Sequence, residues 1–245
     1  MAVPDPADLT QRQRRLVRRA AYPALAAAIL GPIAVAFVSG SPVPDDNLNG
    51  HVYLGYALNH RTGEAQSLLF IVSSLAIAGF LAALGVVHAQ RAGRLTYPAV
   101  TMTGSAAAFF TLQSIASACN LTIAQLGHGY PAFGTDPSAP LITTALWSLT
   151  NVVVTVGYLP FVVAMFAIAT GNRSDPILPR LLAGPIAVLI AGLAGVVLVV
   201  TLFVDTGPFT PMSTGAGTAS VVPMQLWLAA VALTVLWRTR SLQGQ

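Results

Sequence analysis

The chain has 245 residues, of which 55% are hydrophobic and only 8% are charged. An average soluble protein is about 25% charged, so this composition excludes an ordinary soluble domain. The net charge of +4 comes from arginines that stand beside apolar segments and form no extended basic face. That distribution argues against nucleic-acid binding and is typical of membrane proteins.

Six long apolar segments contain no Asp, Glu, Lys or Arg. A helix needs about 20 mostly apolar residues to cross a bilayer, and a charge at the bilayer centre costs about 2.5–3.5 kcal/mol. The sequence therefore predicts an all-α fold, a bundle of six transmembrane helices. The predicted spans are 20–38, 66–88, 97–126, 141–170, 181–204 and 219–237. The third and fourth are longer than a span requires, so they should tilt, kink or project beyond the bilayer.

The arginines predict the orientation of this bundle. With the N-terminus in the cytoplasm, every arginine except Arg61 lies on the cytoplasmic side, as the positive-inside rule requires. Residues 1–19 are then an arginine-rich cytoplasmic tail, 20–237 the membrane domain and 238–245 a second cytoplasmic tail. The absence of lysine and the abundance of Ala, Gly and Val indicate a bacterial genome, so we expect a multi-pass protein of the bacterial plasma membrane.

The outer loops hold the ionisable candidates for chemistry. The catalytic candidates, which match no recognised motif, are His51, His60, Glu64, Asp45, Asp46 and His128. If the second helix began early, His60 and Glu64 would lie one turn apart on one face, a spacing that suits an acid–base pair. Gly63 disfavours that early start. A solvated loop is the alternative reading, and no metal or cofactor site is predicted.

Neutral polar side chains inside the third and fourth spans are the second candidate site. They recur at helical spacing and form an interior polar stripe: Gln113, Ser117, Asn120, Ser148, Asn151, Thr155 and Tyr158. Two facing stripes should hydrogen-bond across the helix interface at about 0.6–2 kcal/mol per pair. The stripes are either structural or line a cavity for a lipid headgroup or small solute.

The aromatic residues near the span ends have the positions of interfacial anchors. They are Trp147, Trp227, Trp237 and Tyr97. The single cysteine, Cys119, forms no internal disulfide and is interpreted as a packing residue.

Several short pieces carry a resemblance. Asp136-Pro137 precedes the fourth span, Ala145-Leu146-Trp147 opens it, and Gly157–Pro160 lies within it. Leu178-Pro179-Arg180 precedes the fifth span, and Trp237-Arg238 closes the sixth. The C-terminal half thereby resembles a loosely defined group of six-span actinobacterial membrane proteins. That group has no established activity, so the resemblance implies a fold and no functional residue.

Two functions follow as expectations. The first is a non-catalytic or transport-related membrane component that handles a lipid, a small apolar solute or a partner membrane protein. The bilayer itself, a partner membrane protein or a second copy of the chain are the expected partners. The alternative is a membrane-embedded enzyme with a His/Asp site on its outer face. The uncharged spans argue against proton-coupled transport through a buried carboxylate.

Overall fold

The computed structural model describes residues 10–38, 60–130, 132–204, 209–211 and 214–241. Of these described residues 89% are helical and none is in a strand. The helices are α1 (Gln11–Val38), α2 (His60–Ala92), α3 (Tyr97–Gly129), α4 (Ala139–Ser174), α5 (Ala187–Thr201) and α6 (Thr214–Ser241). A 3-10 turn at Phe133–Thr135 precedes α4, and a π-helical turn at Leu182–Ile186 leads into α5.

Five of these helical segments are long and apolar enough to cross a membrane. They are Gly63–Ala92, Tyr97–Gly129, Ala139–Ser174, Leu182–Thr201 and Gly215–Arg238. They coincide with the second to sixth predicted spans and confirm the all-α, multi-pass part of the prediction. The predicted first span, 20–38, lies within α1, which is not among the five. The arginines at 12–19 belong to this same continuous helix.

The helices form a closed ring in sequence order. Each contacts the next along the chain, and α1 also contacts α6. Because successive helices run in opposite directions, their ends alternate between two sides of the ring. We call the side where α2, α4 and α6 end the arginine-rich end, since it carries Arg91, Arg173, Arg180 and Arg238. The other side is called the opposite end.

On α5, small side chains face the other helices and large apolar ones face outward. On α5 the inner row is Ala187, Ala191 and Ala194, each at most 1% exposed. The outer row includes Leu189, Leu193 and Val196, each about 60% exposed. Helices in lipid associate by this close packing of small residues, because apolar side chains gain nothing by leaving an apolar solvent. The exposed apolar surface is therefore the lipid-facing surface.

Local signals set the connection between α2 and α3. Gly93 adopts a positive φ of 64°, a conformation that glycine takes without strain, and it ends α2. Thr96 then caps α3 by accepting a hydrogen bond from the Ala99 amide, and Pro98 lies in the first turn. This short connection joins α2 and α3 as an antiparallel helical hairpin.

The start of α2 differs from the expectation. Gly63 disfavours an early start, but the helix begins at His60. Gly63 is buried, and its carbonyl accepts hydrogen bonds from Ser67 Oγ at 2.8 Å and Asn120 Nδ2 at 3.5 Å. Packing against α3 thus overrides the weak helix propensity of glycine, and α2 gains two turns.

Two of the expected interfacial anchors are instead buried. Trp227 is 2% exposed and Trp147 is 4% exposed, whereas Trp237 and Tyr97 are largely exposed at helix ends, as anchors are. Trp227 Nε1 donates to the Leu182 carbonyl at 2.8 Å. That carbonyl lies in the π-helical turn around Pro185, whose missing N–H and bulky ring disrupt regular α-helical bonding. Trp227 therefore ties α6 to an irregular part of the chain.

The close contact of α2 and α3 at Gly85 generates a stability prediction. A Cβ at Gly85 would lie 2.6 Å from Thr103 Oγ1 and 2.9 Å from the Ala99 carbonyl oxygen. Gly85→Ala should lower the free energy of unfolding by about 1–3 kcal/mol relative to Gly79→Ala, because overpacking forces the two helices apart. Gly79 is the matched control, since a Cβ there meets nothing within 4 Å. Thermal unfolding in mild detergent measures both, and equal melting temperatures would contradict the prediction.

Candidate functional site

A cavity of about 70 Å³ lies among α2, α3 and α4. Its polar lining residues are Gln66, Ser67, Ser117, Asn120, Thr150 and Asn151. Its apolar lining residues are Phe70, Ala116, Trp147 and Val154. Gln66 is about two helical turns from the start of α2, which places the cavity roughly 10 Å inside the opposite end. We call it the Asn120 cavity.

Asn120 connects two walls of this cavity. It lies on α3, is 4% exposed, and its Nδ2 donates to Gln66 Oε1 at 3.2 Å and Ser67 Oγ at 3.1 Å on α2. Its Oδ1 is buried and has no hydrogen-bond partner among the described residues. A buried acceptor without a partner costs about 1–3 kcal/mol. In the Asn120 cavity, Asn120 Oδ1 is therefore a buried acceptor that a donor from a bound molecule would stabilise.

On the α4 wall, neither Thr150 nor Asn151 has a buried side-chain atom that lacks a hydrogen-bond partner. Thr150 donates its hydroxyl to the Leu146 carbonyl of its own helix at 2.9 Å. Asn151 is only half-buried, and its backbone carbonyl accepts a hydrogen bond from Thr155 Oγ1 at 2.8 Å. No Asp, Glu, Arg or His is among the described residues that line the cavity. The site is thus neutral, and any ligand must be held by hydrogen bonds and van der Waals contact.

A second polar cluster lies near the middle of α3 and α4. Gln113 Nε2 donates to the Val154 carbonyl at 3.3 Å, and Gly157 permits this approach, since a Cβ there would lie 2.9 Å from Nε2. The Tyr158 side chain lies beside Gln225 of α6. The Oε1 atoms of Gln113 and Gln225 are both buried without a partner among the described residues. This cluster joins three helices but does not line the Asn120 cavity.

The predicted interior stripe is therefore divided between two places. Ser117, Asn120 and Asn151 line the cavity, while Gln113, Thr155 and Tyr158 are buried. The prediction is wrong for Ser148, which is exposed and does not line the Asn120 cavity. Each residue turns a helix by about 100°, and the buried face of α4 passes through its neighbour Trp147. Asn120 also bonds to α2 and not to α4, so the cross-interface pairing differs from the expected one.

Sequence reasoning missed four polar residues of these sites. Gln66 and Ser67 lie at the start of the predicted second span, Thr150 lies within the fourth, and Gln225 within the sixth. The available signal was the presence of uncharged polar residues in apolar segments. That signal does not reveal which helices become neighbours.

The outer-face candidates are only partly described. His51, Asp45 and Asp46 lie outside the described residues, as does the side chain of His60. Glu64 is half-buried near the start of α2, and His128 is exposed at the end of α3. Across 60–130, 132–204 and the other described ranges, no three His, Cys, Asp or Glu side chains are grouped closely enough to hold a metal ion. Cys119 is half-buried in α3.

A charged cluster at the arginine-rich end joins α2 to the segment after α4. Arg91 Nε donates to both carboxylate oxygens of Asp175 at 2.7 Å, and Nη2 lies 2.6 Å from Oδ1. His88 Nδ1 lies 3.7 Å from Asp175 Oδ2. A methyl group at Gly171 would overlap the His88 imidazole, so the helices approach closely here. Asn172 fixes the same segment by accepting from the Ile177 and Leu178 amides at 2.8 Å.

No protein-family model, curated protein or solved structure matches this chain. The fold and its five apolar helices define a multi-pass helical membrane protein.

The Arg91–Asp175 pair predicts a strong energetic coupling. Arg91→Gln or Asp175→Asn alone leaves a partly buried charge without its partner, which should cost about 1–3 kcal/mol, less than the 3–5 kcal/mol of a fully buried pair. The double variant should lose clearly less than the sum of the two. Denaturation of all four proteins in the same detergent completes the cycle. Simple additivity would show that the pair is not coupled.

The loop before α4 predicts a local pH dependence. Ser138 donates its hydroxyl and its amide to Asp136 Oδ1 at 2.6 and 2.8 Å, and these hydrogen bonds lower the pKa of the Asp136 carboxyl. Because the folded pKa lies below the unfolded one, the stabilisation is present above the unfolded pKa and is lost as the pH falls through the folded pKa. Ser138→Ala should raise the pKa of Asp136 in a carboxyl NMR titration. Thr135→Ala, the matched control, should leave it unchanged.

Proposed function

We propose that this chain is a six-span protein of the bacterial plasma membrane, with both termini in the cytoplasm, and that it is a non-catalytic, transport-related component. Its ligand is a small neutral solute that binds in the Asn120 cavity. The single observation that carries the ligand assignment is the buried Asn120 Oδ1, which lines the cavity and has no partner among the described residues.

The distribution of charge supports the orientation. Arg91, Arg94, Arg173, Arg180 and Arg238 lie at the arginine-rich end, where α1 with its own arginines also begins. The positive-inside rule assigns such an end to the cytoplasm. The two acids described at the opposite end, Glu64 and Asp136, agree with an outer face. Insertion of α1 as the first of six spans completes this topology.

The size of the cavity limits the ligand. A water molecule occupies about 30 Å³ of liquid, and an engineered cavity of about 150 Å³ binds benzene. A cavity of about 70 Å³ therefore admits a molecule of a few heavy atoms. This favours a small solute over a phospholipid headgroup with its chains, and over the side chains of a partner protein.

The chemistry of the lining selects among small solutes. An apolar solute would leave Asn120 Oδ1 without a donor, whereas a hydroxyl or amide N–H would satisfy it. A charged solute would lose its hydration and meet no opposite charge among the described lining residues. The lining thus favours a neutral solute with a hydrogen-bond donor over the purely apolar one that the composition suggested.

Trp147 allows this proposal to be tested, because it lines the cavity and is 4% exposed. We expect acetamide, a small neutral donor, to change the Trp147 emission of the protein in nanodiscs with a saturable dependence on concentration. A Trp147→Phe variant should lose the response, which separates it from the two other tryptophans.

Two serines provide the matched pair for this experiment. Ser117→Val fills part of the cavity while leaving the Asn120 hydrogen bonds in place, and it should weaken acetamide binding at least severalfold. Ser148→Val makes the same change at an exposed position and should have no effect. Asn120→Leu should abolish the response. A linear, unsaturable response shared by all variants would refute binding in the cavity.

A further inference from the structure

A second concave surface lies on the outside of the ring at the arginine-rich end. It is a groove of about 620 Å³ between the last turns of α4 and the π-helical turn that precedes α5. Ala169 and Arg173 line it from α4, and Gly184, Val188 and Leu189 line it from the other side, with Arg180 between them in sequence. It is separate from the Asn120 cavity, which lies toward the opposite end.

The groove carries positive charge that the described chain does not neutralise. Arg173 and Arg180 are both exposed, and neither is paired with a described carboxylate. Asp175 stands between them in sequence, but both of its oxygens are bound by Arg91. The other described acids, Glu64 and Asp136, are at the opposite end. The two guanidinium groups therefore retain their capacity to bind an anion.

The rest of the groove is apolar and faces lipid. A Cβ on Gly184 would meet nothing within 4 Å, so the π-helical turn leaves open space here. Leu189 is 62% exposed and Val188 is 38% exposed. Their side of α5 continues through Leu193, at 60% exposed, toward the middle of the helix. This surface is an apolar track that leads away from the two arginines along the direction of an acyl chain.

We propose that this groove binds an anionic phospholipid of the cytoplasmic leaflet. The lipid phosphate lies between Arg173 and Arg180, and one acyl chain follows Val188 and Leu189. Charge and apolar surface occur together, which matches the two parts of a phospholipid. Basic pockets at the cytoplasmic ends of membrane helices recognise such headgroups. A soluble anion would use the arginines but gain nothing from the apolar track.

The test is native mass spectrometry of the full chain, released from detergent with phosphatidylglycerol or phosphatidylcholine added. The unaltered protein should retain phosphatidylglycerol in preference. Each arginine near an anionic lipid contributes about a fivefold gain in affinity, so Arg173→Gln/Arg180→Gln should lower retention about twenty-five-fold. Arg94→Gln is the control, since Arg94 is exposed at the same end but does not line the groove. It should lose less than twofold.

A variant that keeps both arginines tests the apolar half. Gly184→Leu should fill the groove and lower phosphatidylglycerol retention severalfold without changing the charge. Equal loss in Arg94→Gln and the double variant would overturn the proposal in favour of diffuse surface charge. Displacement of the lipid by millimolar inorganic phosphate would overturn it in favour of a soluble anion. A protein dimer lost only in the double variant would overturn it in favour of a second copy of the chain.

This inference rests on the orientation proposed above but not on the solute. Loss of the acetamide response with retained lipid preference would refute the solute alone. If the chain inserted with the arginine-rich end outside, protease access to its two ends in sealed vesicles would show it independently of lipid binding.

Discussion

The central constraint on this protein is that hydrocarbon cannot hydrogen-bond to a polar group. A polar atom within the ring is therefore stabilised by a protein partner or by a hydrogen-bonding molecule in a cavity beside it. The carbonyl of Gly63 shows the first solution, since Ser67 and Asn120 both donate to it. The Leu182 carbonyl shows the same solution at the irregular turn, where Trp227 donates. Asn120 Oδ1, which lies beside a cavity instead, is where the constraint leads to the proposed binding site.

The same constraint separates the molecule into zones. Ionised groups stay at the two ends, where water or an opposite charge is available, as Arg91 and Asp175 show. Neutral polar groups lie within an otherwise apolar interior, and apolar groups cover the outside. The Asn120 cavity and the Arg173–Arg180 groove therefore differ in chemistry because they lie in different zones. The first suits a neutral solute, and the second suits an anionic lipid.

The candidate site was partly predictable from sequence. Helical spacing placed Ser117 and Asn120 on one face of α3, and both line the cavity. The same spacing did not place Ser148 correctly, because the buried face of α4 passes through its neighbour Trp147 and leaves Ser148 exposed. It also gave no information about Gln66 and Ser67, which lie more than 50 residues from Asn120 in the chain. Contacts between helices depend on their order and rotation, and periodicity within one helix does not specify these.

By itself the sequence determined the all-α class and the positions of five apolar helices that can cross a membrane. It could do so because the cost of burying a charge and the length of a span depend on composition alone. Only the tertiary structure decided that α2 begins at His60, that Trp227 is buried, and that the helices close into a ring. It also decided that Asn120 faces a cavity and that Arg91 binds both carboxylate oxygens of Asp175. These outcomes depend on which side chains meet across helices, and each is produced by contacts between residues that are distant in the chain.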